Sequence, residues 1–203
     1  MVGIDGQKGR KMKTRISIFC GASASGKDYL MRRYLENYKD KNVERIVTYT
    51  TRPMRSKETN HIDYHFVTDD EFDVLKLTGK LIEERTYHVG MFTDWRYGTG
   101  YFVNEWCNEY AGVFDLGGIE SIIKAYPDAE IVVNYVYCPA DTRRKRAEKR
   151  DANFDLAEWE RRLKADEEDF SEEKLAHLND VLRQYGNPPI QYVNNYIQYV
   201  NNY

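Results

Sequence analysis

The chain contains 203 residues, of which 41% are hydrophobic and 31% are charged, and its formal net charge is −3. This length suits one domain with insertions, and the composition is that of an ordinary globular protein. Because the net charge is small and acidic, the chain as a whole is not expected to bind nucleic acid or membranes. Any anion site must therefore be built locally.

The start of the chain and the cysteines bear on its location. Residues 1–14 are rich in glycine and lysine and contain no apolar run, so we interpret them as a disordered leader and not as a signal peptide or anchor. Cys20, Cys107 and Cys138 are odd in number and widely spaced, which fits no disulfide framework or zinc pattern. Both features favour the reducing cytoplasm.

A phosphate-binding loop is predicted near the N-terminus. Residues 15–21 form a short β-rich run that ends in glycine, and residues 27–39 have apolar side chains near helical spacing. The segment GASASGK, at 21–27, has the Gly-x4-Gly-Lys spacing of such a loop. When a strand, a loop and a helix follow one another in this order, backbone N–H groups, the helix dipole and Lys27 can converge on one phosphate group. The alternative interpretation is a glycine-rich surface turn.

Asp28 stands where such loops carry serine or threonine. The hydroxyl at this position normally ligates Mg²⁺, and a carboxylate oxygen can do so as well because Mg²⁺ prefers hard oxygen donors. We therefore expect Asp28 to be tolerated when magnesium is present and to repel phosphates when it is absent. The open alternative is an ordinary acidic residue in the first turn of a helix, which the helix dipole favours.

Residues 48–100 are predicted to form a β-rich insertion. It contains a short helix, with Asp69 as its N-cap and Gly79 as its stop, followed by a hairpin over residues 81–101. Two later runs, AGVFDLGG at 111–118 and EIVVNYVYCP at 130–139, are apolar and β-branched, as parallel strands buried on both faces tend to be.

From residue 140 to about 185 the chain is charged and helical. Within this part, the acidic segment ADEEDFSEEK at 165–174 is interpreted as a solvated helix face, and Asp155 as the N-cap of a helix. The whole pattern predicts an α/β fold, in which a parallel sheet is flanked by helices and interrupted by the β-rich insertion. The core is assigned to residues 15–47 and 101–196.

The end of the chain is a repeat. The segment IQYVNNY occurs at 190–196 and again at 197–203, and we interpret the second copy as a tandem duplication of a strand-like segment. An uncharged segment rich in tyrosine, valine and asparagine can add to a sheet edge or pair between chains.

Further motifs follow the phosphate loop in order: TTRPMR at 50–55, DYHF at 63–66, GKLIE at 79–83 and YGT at 97–99. Together with the loop they resemble the guanylate kinase family over residues 21 to about 196. The resemblance implies a P-loop NTPase-type sheet, with the insertion binding the nucleoside monophosphate. It also implies ATP with Mg²⁺ as the phosphoryl donor and GMP or dGMP as the acceptor.

The resemblance places the acceptor site in the insertion. Arg52 and Arg55 would present guanidinium groups to the acceptor phosphate, an arrangement that also suits their chemistry, although surface arginines are often merely solvated. Glu83 would accept hydrogen bonds from the N1–H and 2-amino groups of guanine. The GMP-binding set is Thr48, Arg52, Arg55, Tyr64, Glu83, Tyr97, Gly98, Thr99 and Asp115, in which the tyrosines add hydroxyl donors and Thr48 contacts the base.

Asp115 matches the family's acidic stretch after the central strand, where two acidic residues are usual. Here Val113 occupies the other position. The role of Asp115 is open between a contact with the base, an indirect contact with the metal, and a cap at the end of the strand. Asp28 and Asp115 are thus the two candidate residues for magnesium.

The segment DTRRKRAEKR at 141–150 holds six cations in ten residues. On composition it is a solvated helix face or, second, a nucleic-acid-binding segment. The resemblance gives a third interpretation, a lid over ATP that spans about 141–165, whose Arg146, Arg150 and Arg162 neutralise charge on the transferred phosphoryl group. Asn194 resembles an asparagine near the adenine, and Asn179 in LND is the weaker alternative.

We therefore predict a guanylate kinase in which MgATP phosphorylates GMP or dGMP, giving ADP and GDP. The catalytic set is Lys27, Arg146, Arg150 and Arg162, and the ATP-binding set is Gly21, Ala22, Ser23, Ala24, Ser25, Gly26, Lys27, Asp28 and Asn194. The protein is expected to be a monomer or homodimer without nucleic-acid or membrane partners. One alternative is a binding module without catalysis, favoured by Asp28 and the missing second acid. Another is a kinase for a different phosphorylated acceptor, favoured by the long segment HVGMFTDWR at 88–96.

Overall fold

A computed structural model describes residues 13–56, 58–88, 94–104, 106–151 and 154–196. Most of the predicted leader, the duplicated tail copy and residues 89–93 of the long hairpin segment lie outside these ranges. The strands are β1 (Arg15–Cys20), β2 (Val43–Arg45), β3 (Tyr49–Thr50), β4 (His65–Phe66), β5 (Leu81–His88), β6 (Asp94–Gly100), β7 (Glu109–Val113), β8 (Glu130–Tyr137) and β9 (Gln191–Asn194). The α-helices are α1 (Lys27–Asn37), α2 (Asp69–Leu77), α3 (Leu116–Ala125), α4 (Ala140–Arg150), α5 (Leu156–Asp169) and α6 (Glu172–Gln184), and a 3₁₀ turn spans Lys39–Lys41.

The main sheet has the strand order β2-β7-β1-β8-β9, and every neighbouring pair is parallel. This arrangement confirms the predicted parallel sheet and the two predicted buried strands, which are β7 and β8. Because β1 lies at the centre, the loop that follows it opens at the carboxyl end of the sheet. This edge is where ligands bind in open α/β folds.

Both faces of the main sheet are covered, which explains the continuous apolar runs. Alternate residues of β1 point to opposite faces. Ile16 and Ile18 belong to the larger core cluster with residues of α3 and α6, such as Ile119 and Leu178. Phe19 faces the other side, in a smaller cluster with residues of α1. These two layers hold α1 and the preceding loop in a fixed place.

A second, mixed sheet has the order β4-β3-β6-β5 and is built from residues of the predicted β-rich region. The hairpin β5–β6 sets Glu83 opposite Thr99 and Arg85 opposite Tyr97. Residues directly opposite one another in an antiparallel pair share a face. One face of the hairpin therefore carries these four side chains.

The opposite face of the hairpin packs on α2. The guanidinium carbon of Arg96 lies 4.3 Å from the centroid of the Phe72 ring. A side chain at Gly98 would also meet this ring, at 2.9 Å from its Cβ. The hairpin thus has a packed outer face and an inner face that is directed at the start of α3.

Helix α2 corrects one prediction, because its N-cap is Thr68 and not Asp69. The Thr68 backbone is extended, and its hydroxyl accepts a hydrogen bond from Glu71 N–H, while the Glu71 side chain bonds back to Thr68 N–H. This reciprocal pair satisfies two free donors, so the preceding threonine outcompetes the aspartate. The predicted N-cap of α5, Asp155, is confirmed.

None of the helices in the described ranges has the length and apolar content that crossing a bilayer requires. Cys20, Cys107 and Cys138 are all described, and all are buried and unpaired.

Candidate active site

The predicted phosphate loop curves between β1 and α1. Gly21 and Gly26 have φ angles of 141° and 91°, which glycine adopts without strain. Ser25 N–H donates to the Ala22 carbonyl at 3.1 Å, and the Lys27 ammonium donates to the same carbonyl at 3.3 Å. The lysine is therefore held against the loop, next to the first-turn N–H groups of α1, which lack carbonyl partners within the helix.

The loop is fastened to helices α4 and α5. The backbone N–H of Ser23 donates to both carboxylate oxygens of Asp166 at 3.0 Å, and the Ser23 hydroxyl donates at 3.1 Å. Arg143 pairs with the same carboxylate at 2.8 Å and donates to the Ser23 carbonyl at 3.2 Å. Asp166 corrects a prediction, because its side chain is only 12% exposed and does not belong to a solvated face.

Arg146 also contacts the loop, together with the segment after β9. Its guanidinium donates to the carbonyls of Ser25 and Asn195, each at 2.9 Å. The buried Asn195 amide donates to the Ser25 carbonyl at 2.8 Å, and a side chain at Gly26 would collide with it. The loop, Arg146 and the segment after β9 therefore meet at one point.

The predicted adenine-side residue, Asn194, lies one position earlier, at the exposed end of β9. Its side-chain oxygen accepts a hydrogen bond from Tyr196 N–H at 2.9 Å. The amide that reaches the loop belongs to its neighbour Asn195, since consecutive strand residues point to opposite sides. The weaker alternative, Asn179, accepts from Ile190 N–H and serves to pack α6. The role of Asn194 near adenine stays a prediction.

A cavity of ≈ 1730 Å³ opens between the loop, α1, α4 and the segment that joins β3 to β4. Residues of the predicted ATP-binding, GMP-binding and catalytic sets line it: Ser23, Ala24, Gly26, Lys27, Asp28, Arg55, Tyr64, Arg146, Arg150 and Arg162. Within the described ranges its cationic lining residues are Lys27, Arg33, Arg55, Lys145, Arg146, Lys149, Arg150 and Arg162, against a single carboxylate, Asp28. A cavity so lined attracts a polyanionic ligand.

The two predicted phosphate-binding arginines differ in their surroundings. Arg55 is exposed on the cavity wall. Arg52 is only 4% exposed, and its guanidinium donates to both oxygens of Glu58, at 3.0 and 2.8 Å. A buried charge requires a partner. Glu58 therefore binds the guanidinium group of Arg52 that was expected to face phosphate. The hydrogen bonds from Arg52 in turn hold the pKa of Glu58 below its usual range.

Aromatic rings surround this arginine. The guanidinium carbon of Arg52 lies 5.4 Å from the centroid of the Tyr64 ring, which meets the Tyr97 ring edge to face at 6.0 Å. The contact of Arg52 with phosphate stays a prediction, as do the contacts of both tyrosines. Sequence reasoning missed Glu58, whose only signal was an acidic residue in a segment otherwise rich in cations.

The inner face of the hairpin holds the predicted base-binding residues. Glu83 accepts a hydrogen bond from the buried Thr99 hydroxyl at 2.6 Å, and Arg85 Nε lies 3.5 Å from its other oxygen. Burial raises the pKa of Glu83, and the Thr99 hydrogen bond and the charge of Arg85 oppose this rise. The Thr48 carbonyl accepts from His65 N–H and so binds β4.

Asp115 lies across from this face, where it caps α3. One of its oxygens accepts a hydrogen bond from Gly118 N–H at 2.9 Å, and the other pairs with Arg85. Asp115 is thus the N-cap of α3, the helix that follows the strand, and its contacts with the base or the metal stay predictions. Arg85 was missed by sequence reasoning, although its alternation with Glu83 in β5 was a usable signal.

Comparisons of the sequence with known proteins agree on one family. A family model described as guanylate kinase matches residues 13–100. The guanylate kinase of Bdellovibrio bacteriovorus is 30% identical over 183 residues, which cover 86% of this chain and 94% of that protein. The guanylate kinase of Legionella pneumophila (strain Paris) is 32% identical over 156 residues, with 74% and 70% covered. A crystal structure of guanylate kinase from Anaplasma phagocytophilum matches with a TM-score of 0.49 and 21% identity, over 85% of this chain and 87% of that one.

Proposed function

This chain belongs to the guanylate kinase family, and we propose that it transfers the γ-phosphoryl group of MgATP to GMP or dGMP, giving ADP and GDP. The main support for the proposal is the cationic cavity, whose lining includes residues of the phosphate loop, Arg146, Arg150 and Arg162, and the acceptor-side Arg55. Such a lining suits two phosphate-bearing ligands that must be brought together.

On the donor side, Lys27 and the N–H groups at the start of α1 bind the ATP phosphates, and the helix dipole adds to their attraction. Arg146, Arg150 and Arg162 supply positive charge where negative charge accumulates during transfer. Phosphoryl transfer requires positioning and electrostatic stabilisation more than covalent help from the protein. These residues therefore suffice for the donor half of the reaction.

On the acceptor side, Arg55 and Tyr64 face the cavity and bind the GMP phosphate. Arg52 and Tyr97 support them, with Arg52 held in place by Glu58. Glu83 accepts hydrogen bonds from the guanine N1–H and 2-amino groups. Since the acceptor oxygen of GMP is already anionic, no general base is needed.

Magnesium enters with ATP, and its chemistry here is to neutralise charge on the phosphate oxygens. In the described ranges no group of three histidine, cysteine or acidic side chains could hold a metal ion by itself. Asp28 is exposed on the cavity wall in the first turn of α1, so it fits as the protein's carboxylate for this ion. Asp115 fits less well, because both of its oxygens already have partners.

The domain assignment follows these roles. Residues 48–100 form the acceptor-binding insertion, about 141–165 form the lid, and 15–47 with 101–196 form the core. We further propose that the protein acts in the cytoplasm as a monomer or homodimer.

The proposal is tested by ADP formation from ATP and Mg²⁺ with GMP, dGMP, AMP, UMP or no acceptor in parallel reactions. Turnover with GMP and dGMP alone supports it. Turnover with a different acceptor instead supports a related kinase. No turnover with any acceptor, in protein whose folding is shown by a cooperative thermal transition, supports a binding module without catalysis.

A further inference from the structure

Arg85 joins two carboxylates at the inner face of the hairpin. Its Nε atom lies 3.5 Å from Glu83, and one of its terminal nitrogens pairs with Asp115 at the start of α3. A side chain at Gly117 would collide with the guanidinium group, so the glycine makes room for it. The Arg85 side chain is 31% exposed. A guanidinium group that is held by two carboxylates and is still partly open to solvent can meet a ligand.

We propose that Arg85 determines base specificity by donating a hydrogen bond to the 6-oxo group of guanine while Glu83 accepts from N1–H and the 2-amino group. The inference rests on the proposed function and deepens it, because it names a second residue that reads the acceptor base.

The alternation of strand β5 provides the geometry. Glu83 and Arg85 are two residues apart and therefore lie on the same face of the strand, at neighbouring positions. Thr99, opposite Glu83, occupies one of the carboxylate oxygens, and the other oxygen is the one nearest Arg85. Because each oxygen of an ionised carboxylate has two lone pairs, Glu83 can still accept from a ligand, and it presents this acceptor beside the donor Arg85.

Guanine has the complementary edge, with two donors followed by the O6 acceptor. Arginine bonded to guanine O6 is also the commonest specific arginine contact to a base in nucleic-acid recognition. Adenine reverses the pattern, since its 6-amino group would face the guanidinium and its unprotonated N1 would face the carboxylate. A site of this kind rejects adenine at two positions at once.

The charge of Arg85 has a second effect on the same contact. Burial favours the neutral form of Glu83, and the adjacent cation opposes this. The ionised carboxylate is the form that can accept from both guanine donors. Arg85 thereby supports the Glu83 contact as well as making its own.

The test compares GMP, IMP and 6-thio-GMP as ligands by calorimetric titration and as acceptors by kcat/KM. IMP lacks the 2-amino group that Glu83 reads, and 6-thio-GMP replaces O6 by sulfur, a weaker acceptor. The variants are Arg85→Met, which removes the donor, and Gly117→Ala, which displaces the guanidinium without removing it. Lys76→Met is the matched control, since Lys76 pairs with Glu84, a residue outside the four inner-face side chains, and is 54% exposed.

The wild type and Lys76→Met are expected to prefer GMP over 6-thio-GMP by roughly tenfold or more. At alkaline pH, where Glu83 stays ionised without the help of Arg85, Arg85→Met should lose this preference and keep the preference for GMP over IMP. Gly117→Ala should reduce the preference for GMP over 6-thio-GMP while keeping the thermal stability. The inference is overturned if the wild type binds GMP but does not distinguish 6-thio-GMP, or if Arg85→Met weakens all three ligands by the same factor. Failure of the wild type to bind GMP overturns the proposed function itself, and the inference with it.

Discussion

The carboxylate of Asp166 accepts hydrogen bonds from both the backbone N–H and the hydroxyl of Ser23, across 143 positions of the sequence. It connects α5, the returning helix of the proposed lid, directly to the phosphate loop. Arg143 from α4 completes the junction with an ion pair to the same carboxylate. The conformation of the loop and the position of the lid helices are therefore coupled.

Asp166→Ala is expected to lower the free energy of unfolding by about 3 kcal/mol, because it leaves the nearly buried Arg143 charge without its partner. Chemical denaturation provides the measurement. Asp169→Ala is the matched control, since Asp169 lies on the same helix and its ion pair with Lys174 is exposed.

Adding Arg143→Leu to Asp166→Ala should restore part of the lost stability, because the double variant no longer buries an unpaired charge. A double variant that is less stable than Asp166→Ala by the full cost of Arg143→Leu alone would show that the two residues act independently.

Asp28→Ser is expected to change how ATP binding depends on magnesium. In the wild type the carboxylate repels the phosphates unless the cation lies between them, so affinity should fall by roughly tenfold or more when magnesium is removed. The serine variant should show a smaller fall. Titration of ATP with and without Mg²⁺ measures this, with Glu36→Ser on the same helix as control. Equal falls in the wild type and in Asp28→Ser would remove Asp28 from the metal site.

Arg162→Met is expected to lower kcat by about 100-fold or more, because the proposed charge on the transferred phosphoryl group loses a partner. Arg161→Met is a close control. Both arginines bind Glu158, but the cavity is lined by Arg162 and not by Arg161. The control should keep kcat close to the wild-type value. Equal losses in the two variants would assign Arg162 to helix stability instead of catalysis.

GMP affinity is expected to fall as the pH is lowered, with a midpoint above the pKa of an ordinary glutamate. Burial raises the pKa of Glu83, so its carboxylate takes up a proton at a higher pH and then cannot accept from both guanine donors. Glu83→Gln should remove this step while leaving the titration of the GMP phosphate itself. Calorimetry over a pH series measures the difference. An identical pH profile in the two proteins would contradict the role of Glu83.

The sequence predicted the parallel sheet, the phosphate loop and the hairpin because these follow from local patterns of apolar residues and glycines. It could not pair Asp166 with Ser23, since an acidic helix segment looks the same whether one of its carboxylates is buried or all are solvated. It did not identify the contact of Asn195 with the loop, because the side on which each asparagine of this segment lies depends on pairing with β8, a contact between distant parts of the chain.

On the acceptor side as well, the sequence predicted residues of the site but not their partners. The arginines of the TTRPMR motif were predicted together, but burial of Arg52 gave it Glu58 as a partner while Arg55 stayed on the cavity wall. Alternation in β5 placed Arg85 beside Glu83, whereas its partner Asp115 comes from a different element. Local periodicity gives the face of a side chain, and tertiary packing gives its partner.

Transfer of the phosphoryl group from ATP to GMP is measured most directly by following the γ-phosphoryl group itself. The protein is incubated with Mg²⁺, GMP and ATP that carries a radioactive γ-phosphate, and the labelled products are separated by chromatography. The label is expected to appear in GDP, with one GDP formed for each ADP. Label that appears as inorganic phosphate, or that remains in ATP when the folded protein is present with GMP, would contradict it.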